Sequence, residues 1–203
     1  MRIGLDFDNT IAGYDLVFPA AARAAELVPE DFRGGKAELR AHLRRLPDGE
    51  TEWMRLQGRV YGALMAEAVL IAGLDGFLRR ARTEGAALFV VSHKTIEGHF
   101  DPDRINLREA ARSWMEAKRF FATDGYGLKR ANVHFEDDRA AKIARIAALD
   151  LDIFIDDLEE VFREPGFPES VRPILFTNGR PGPIDLTCRA DWDAITATVF
   201  DGR

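Results

Sequence analysis

The chain begins with a short apolar run, Ile3, Gly4, Leu5 and Phe7, broken by polar residues at Asp6, Asp8, Asn9 and Thr10. A run this short, ending in turn formers, predicts a buried parallel strand that runs out into a loop. From about Leu16 to Gly73 the pattern changes to helical spacing alone. It predicts helices over Phe18 to Val28, Lys36 to Leu46, and a long one from Glu50 to Ala72. Pro29, Gly34-Gly35 and Pro47-Asp48-Gly49 separate them. Trp53, Leu56, Val60, Leu64 and Ala68 recur on one face of the long helix, with Tyr61 beside them, and no strand candidate interrupts the stretch.

Strands and helices alternate from Leu74 onward. A helix marked by Leu74, Phe77, Leu78 and Ala81 stops at Gly85, and a strand follows over Ala86 to Val91, ending in Ser92-His93-Lys94-Thr95. A polar loop then leads to a helix from Asn106 to Phe121. Next come a strand over Asn132 to Phe135, a helix over Arg139 to Leu149 and a strand over Asp152 to Ile155, ending in Asp156-Asp157. A short helix from Leu158 to Phe162, a fifth strand over Pro173 to Phe176 and a closing helix over Asp191 to Phe200 complete the pattern. The expectation is an α/β protein: a Rossmann-like, doubly wound parallel sheet of about five strands with a small all-helical cap insertion. Residues 1–12 and 74–203 form the α/β domain in this reading, and 13–73 the cap.

Composition narrows the function. The 203 residues carry 46% hydrophobic and 31% charged residues, ordinary for one globular core with a small accessory module. A net charge of −6 without a dominant basic cluster argues against nucleic-acid binding. The single cysteine, Cys188, excludes a disulfide within the chain and a cysteine zinc site. No apolar run reaches membrane-spanning length, and Asp6 follows Met1 too closely for a signal peptide, so a cytoplasmic setting is expected. The oligomeric state is left open.

The chemistry sits at the strand ends. Asp6 and Asp8 are two apart, so a pleated backbone turns both carboxylates to one side and Phe7 away. In open α/β sheets ligands bind at the carboxyl ends of the strands. The second strand ends in Ser92, the fourth in Asp156 and Asp157, and Lys142 lies on the helix before the fourth. Acids converging there repel one another unless a cation is shared among them. Oxygen ligands without His or Cys favour Mg²⁺ completed by a substrate phosphate, with Ser92 and Lys142 as partners for phosphate oxygens. The same residue types have plainer uses. Asp6, Asp8, Asn9 and Thr10 suit a turn, Ser92 can simply end its strand, Lys142 can sit in solvent, and Asp157 with Glu160 can form a capping box.

Taken together, Asp6-Phe-Asp8-Asn-Thr10, Val90-Val91-Ser92, Lys142 and Ile153-Phe-Ile-Asp156-Asp157 resemble the four motifs of the haloacid dehalogenase superfamily of phosphohydrolases. The helical insertion between the first two motifs is similar to the family's first type of cap. The resemblance implies that Asp6 is the nucleophile and Asp8 the general acid and base. It implies Mg²⁺ held by Asp6, the Asp8 backbone carbonyl and Asp156 or Asp157, and a phosphate held by Ser92 and Lys142. Asn9, Thr10 and His93 join the phosphate-binding candidates. So does Lys94, close enough to Ser92 to share or take the role of Lys142. Trp53, Arg55, Arg59 and Tyr61 are candidates to face a ligand from the cap, although Trp53 and Tyr61 suit its core better.

An acid at Asp8 favours phosphate-ester chemistry over dehalogenation. The expected function is thus a Mg²⁺-dependent phosphatase acting on a small phosphorylated metabolite through an aspartyl-phosphate. Phosphotransfer or mutase chemistry and a vestigial binding protein stand as alternatives. A receiver domain fits poorly, because its phosphorylated Asp comes later in the chain and it has no use for a cap.

Overall fold

The computed structural model describes residues 1–202. Eight strands occur among the described residues, in chain order: β1 Arg2–Leu5, β2 Ala12–Gly13, β3 Val69–Leu70, β4 Ala87–His93, β5 Val133–Glu136, β6 Ile153–Asp156, β7 Arg172–Phe176 and β8 Cys188–Arg189. The helices are α1 Val17–Ala24, α2 Lys36–Leu43, α3 Gly49–Tyr61, α4 Leu74–Thr83, α5 Leu107–Ala117, α6 Arg139–Ala148, α7 Glu159–Phe162 and α8 Trp192–Thr196. No helix among the described residues is long and apolar enough to cross a membrane.

Six strands form one sheet in the order β5-β4-β1-β6-β7-β8, with every pairing parallel. The order places β1 between β4 and β6: Ile3 is in register with Leu88 on one side and Ile153 on the other. Strands this buried are nearly continuous in apolar residues, which is why the runs were legible. Alternate residues of β4, Phe89 and Val91, join Phe154, Ile143, Ile146 and Leu151 in a buried cluster that seats α6 on the sheet. Gly4 is small for the same reason: a Cβ there would lie 2.5 Å from Leu151 Cδ1 and 2.6 Å from Phe154 Cδ2. A second helical layer, α4 and α8, meets through Phe77 and Trp192, whose ring centroids are 4.8 Å apart, with Phe176 of β7 against Trp192 at 5.8 Å.

The chain divides into two compact units. One holds Met1–Ala12, Leu70–Lys94 and the chain from Lys118 onward; the other holds Gly13–Val69 and Thr95–Ala117. Helix α5 and the loop before it, which the alternation pattern assigns to the α/β domain, therefore cluster with the helical unit. In that unit Phe18 stacks on Trp53 with centroids 5.2 Å apart, and Tyr14 and Tyr61 meet edge to face at 5.0 Å. Trp114 Nε1 donates to the Ala68 carbonyl at 2.9 Å. Gly98 packs against Gly58 so closely that a Cβ on it would lie 2.3 Å from the Gly58 Cα. That contact needs a glycine at 98, and a Cβ on Gly58 would lie 2.8 Å from the Asp101 Cβ.

Two expectations are corrected. The long helix does not run to Ala72 but stops at Tyr61, because Gly62 leaves helical geometry at φ −105° and ψ −97°. A 3-10 turn, Met65–Glu67, and the strand β3 occupy its expected second half. The helix-favouring residues there are overridden by burial of Met65 and Ala68. The insertion is accordingly not free of strand, since β2 and β3 form a two-stranded sheet. The main sheet, expected with about five strands, has six; the sixth, β8, is two residues long and too short to show a pattern.

Candidate active site

Asp6 immediately follows β1 and is 3% exposed, its backbone N–H donating to the Ile155 carbonyl at 2.9 Å. The chain then turns tightly: the N–H groups of Ile11 and Ala12 both donate to the Phe7 carbonyl, and Asn9 N–H donates to the Ala12 carbonyl. Asn9 takes the left-handed conformation, φ 60°, that Asn tolerates better than most residues. Phe7 is buried against Phe135, ring edge to ring face at 5.7 Å, so the two flanking acids turn the other way. Thr10 is fully buried, and its hydroxyl donates to Asp157 Oδ1 at 3.5 Å. Trp192 Nε1 donates to the Thr10 carbonyl at 3.2 Å, which ties the turn to α8.

The strand order now does chemical work. With β1 flanked by β6, the carboxylates of Asp6, Asp156 and Asp157 come together, one oxygen of each lying within 4.8 Å of the others. Lys142 enters from α6, which its cap Asp138 starts by accepting the Ala141 N–H at 2.8 Å. The Lys142 ammonium is wholly buried and donates to Asp6 Oδ1 and Asp156 Oδ2, both at 2.6 Å. Burial works against its charge, yet the attraction of Asp156 and Asp6 outweighs it and raises its pKa. Asp156 is pushed up to about 7, burial being the main cause, with Lys142 opposing and Asp6 adding to the rise. Its other oxygen accepts the Leu158 N–H at 2.9 Å.

The remaining candidates sit on β4 and just beyond. Ser92 is buried and in register with Phe135. His93, one residue on, points to the opposite side of the sheet. Its Nδ1 is buried without a hydrogen-bond partner among the described residues. Burial, and after it the Lys142 charge, lower its pKa. Lys94 N–H donates to the Glu136 carbonyl at 2.8 Å, and its ammonium reaches Asp8 Oδ2 at 2.7 Å. The two lysines are thus divided between the two acids of the first motif: Lys142 lies on Asp6 and Lys94 on Asp8. The Asp8 carboxylate lies outside the three-acid cluster.

In the other unit, Trp53 is buried in the aromatic core, while Arg55 and Arg59 are exposed. Arg55 pairs with Glu52, one turn back on α3. Two residues near the acids escaped the sequence reading. Trp192 anchors the turn across the whole length of the chain, and nothing local marks it. Arg139 lies three residues before Lys142 on the same face of α6, a spacing that offered a signal. Its Nη1 donates to Glu164 at 3.2 Å, its Nε is buried without a partner among the described residues, and it lines a cleft of about 630 Å³ beside Asp157.

Three clustered carboxylates, two of them bonded to one ammonium, suit a further cation. The donors are oxygen only, as a hard divalent ion prefers, and two of the three residues are buried.

No model of a known protein family matches this chain, and no curated protein matches it in sequence. Solved structures do match in fold. A phosphoserine phosphohydrolase-like protein from Francisella tularensis superposes with a TM-score of 0.60 at 12% identity, over 98% of this chain and 99% of that one. A HAD family hydrolase from Deinococcus radiodurans with bound phosphate and sodium gives 0.55 at 14%, over 98% and 95%. An L-2-haloacid dehalogenase gives 0.53 at 14%, over 98% and 97%. The chain shares the fold of these hydrolase structures.

Proposed function

We propose that this protein is a Mg²⁺-dependent phosphatase that hydrolyses a small phosphorylated metabolite through an aspartyl-phosphate on Asp6. The observation that carries the reading is the Lys142 ammonium held at 2.6 Å from both Asp6 and Asp156, with Asp157 beside them. A nucleophilic carboxylate must meet a phosphoryl group that already bears negative charge, and such a reaction needs positive charge concentrated at that point. Asp6, Asp156, Asp157 and the Asp8 backbone carbonyl would hold Mg²⁺, which when bound supplies further neutralisation of the transferring group.

The protein's own groups account for the bonds. An Asp6 oxygen forms a bond to phosphorus as the bond to the leaving oxygen breaks, and Asp8 gives that oxygen its proton. Water then attacks phosphorus, the bond to Asp6 breaks, and the water proton goes to Asp8, which restores both acids. Ser92 and Lys142 hold phosphoryl oxygens, with Asn9 and Thr10 as further candidates around them. The acid at position 8 favours an ester: an alkoxide is a poor leaving group without a proton, whereas a halide leaves without one.

The test is hydrolysis of p-nitrophenyl phosphate with and without Mg²⁺. Activity should depend on the metal and fall to background in Asp6→Asn with an unchanged circular dichroism spectrum; a fully active Asp6→Asn protein removes the mechanism. Asp8→Asn should lose roughly 10²- to 10⁴-fold in kcat, the span of a lost general acid-base.

A further inference from the structure

Lys94 occupies a position the proposed reaction does not explain. It stands two residues beyond Ser92, where the β4 backbone gives way to loop, and its side chain is only 2% exposed. An ammonium is buried at that cost only with a strong partner, and its partner is Asp8 Oδ2 at 2.7 Å, an acid whose own side chain is 19% exposed. The reach is fixed from three directions. The Lys94 N–H is held by the Glu136 carbonyl, the ammonium lies 5.6 Å from the centroid of the Phe7 ring, and Phe7 is wedged against Phe135. Asp8 is reached by an arm anchored on β4 and β5, whereas its own backbone belongs to the turn after β1.

We infer that Lys94 is a positioning residue: its ammonium, donating to Asp8 Oδ2, fixes the rotation of that carboxyl group and directs the exchangeable proton to Oδ1. The inference rests on the reading of Asp8 as general acid and base. A carboxyl group free to rotate can offer its proton from either oxygen and in either direction. One oxygen accepting from a charged, buried donor is a poor site for the proton, so the acid presents a single oxygen to the leaving group. In the first step that oxygen gives up its proton to the departing alkoxide, and in the second it takes one from water. Lys94 keeps its own protons throughout. Lys142, on Asp6 and Asp156, serves the nucleophile, and the two cations therefore have separate duties.

The consequence is a dependence on the leaving group. Phenyl phosphate and p-nitrophenyl phosphate are close in shape, but p-nitrophenolate leaves readily without a proton and phenolate needs help. In Lys94→Met, kcat/KM for phenyl phosphate should fall about tenfold or more beyond the fall for p-nitrophenyl phosphate, as for impaired general acid catalysis. Lys94→Arg, which keeps the charge and the donor, should restore the wild-type ratio to within a few-fold and covers the case of a Lys94→Met protein that fails to fold. Equal losses on both esters in folded Lys94→Met would overturn the inference and leave the lysine a structural role. So would a wild-type ratio in Lys94→Met, or a Lys94→Arg protein that folds but discriminates against phenyl phosphate more strongly than wild type. If the wild-type protein hydrolyses neither ester in Mg²⁺, the phosphatase reading itself fails and the role of Lys94 falls with it.

Discussion

Lys142 in the α/β unit and Lys36 in the helical unit both bring a cation into a setting poor in water, in different company. Lys142 is wholly buried and stands between two carboxylates, with a third beside them. Lys36 is half-buried, donates to the Tyr61 hydroxyl at 2.8 Å, and lies 4.9 Å from the centroid of the Phe18 ring. The rings ask for a cation only weakly, and they pack together without it. The carboxylates require one, because each is a charge withdrawn from water. Buried acids gathered at strand ends cost stability even when paired, so their presence points to a use. The aromatic cluster needs no explanation beyond the folding of its unit.

The sharpest way to break the contrast is Lys142→Met, which leaves Asp6 and Asp156 buried without their cation. Urea denaturation in EDTA should show a loss of roughly 3–5 kcal/mol, the usual penalty for stranding buried charge, together with loss of turnover. A loss under about 1 kcal/mol would mean that the acids are better hydrated than their burial implies. Lys36→Met should cost only about 1 kcal/mol, the scale of a cation over an aromatic face, and the same denaturation assay checks it.

The smallest effect sharpens the comparison with a third kind of partner. Tyr126 donates to Asp75 Oδ1 at 2.7 Å, and burial followed by that hydrogen bond pushes its pKa up to about 12. The folded state holds the phenol proton more tightly than the unfolded chain, whose tyrosines titrate near 10. Stability from this group is therefore full below about pH 10 and lost as the pH rises through about 12. Thermal melts of wild type and Tyr126→Phe should converge across that window, and parallel curves would refute the link.

How much of this was legible in the sequence follows from distance along the chain. Asp6 and Asp8, Ser92, and Asp156 with Asp157 each close a short apolar run, so strand and chemistry are written within a few residues of one another. Lys142 was legible as a lysine on the helix before the fourth strand, but its bridging of Asp6 and Asp156 depends on the order of β1 and β6 in the sheet. The pairing of Lys94 with Asp8 was hidden for the same reason: it joins residues from separate strand ends, and Lys94 read as a phosphate ligand because Ser92 is its neighbour in sequence. Gly62 was passed over because the residues after it favour helix; its effect comes from packing, where a Cβ would lie 2.8 Å from the Gly58 carbonyl oxygen. The grouping of α5 with the helical unit left no local mark at all.

The central place of β1 also bears on how the protein is made. Translation delivers β1 well before either flanking strand, and Ile3 has no partner on its second side until Ile153 has emerged. At typical synthesis rates that interval is roughly eight to thirty seconds, and for much of it one side of the strand waits unpaired. Contacts so distant in sequence also slow the folding of the finished chain. The acids that follow this strand can gather only when the sheet closes around it, so a nascent or partly folded chain would lack the site on which the proposed activity depends.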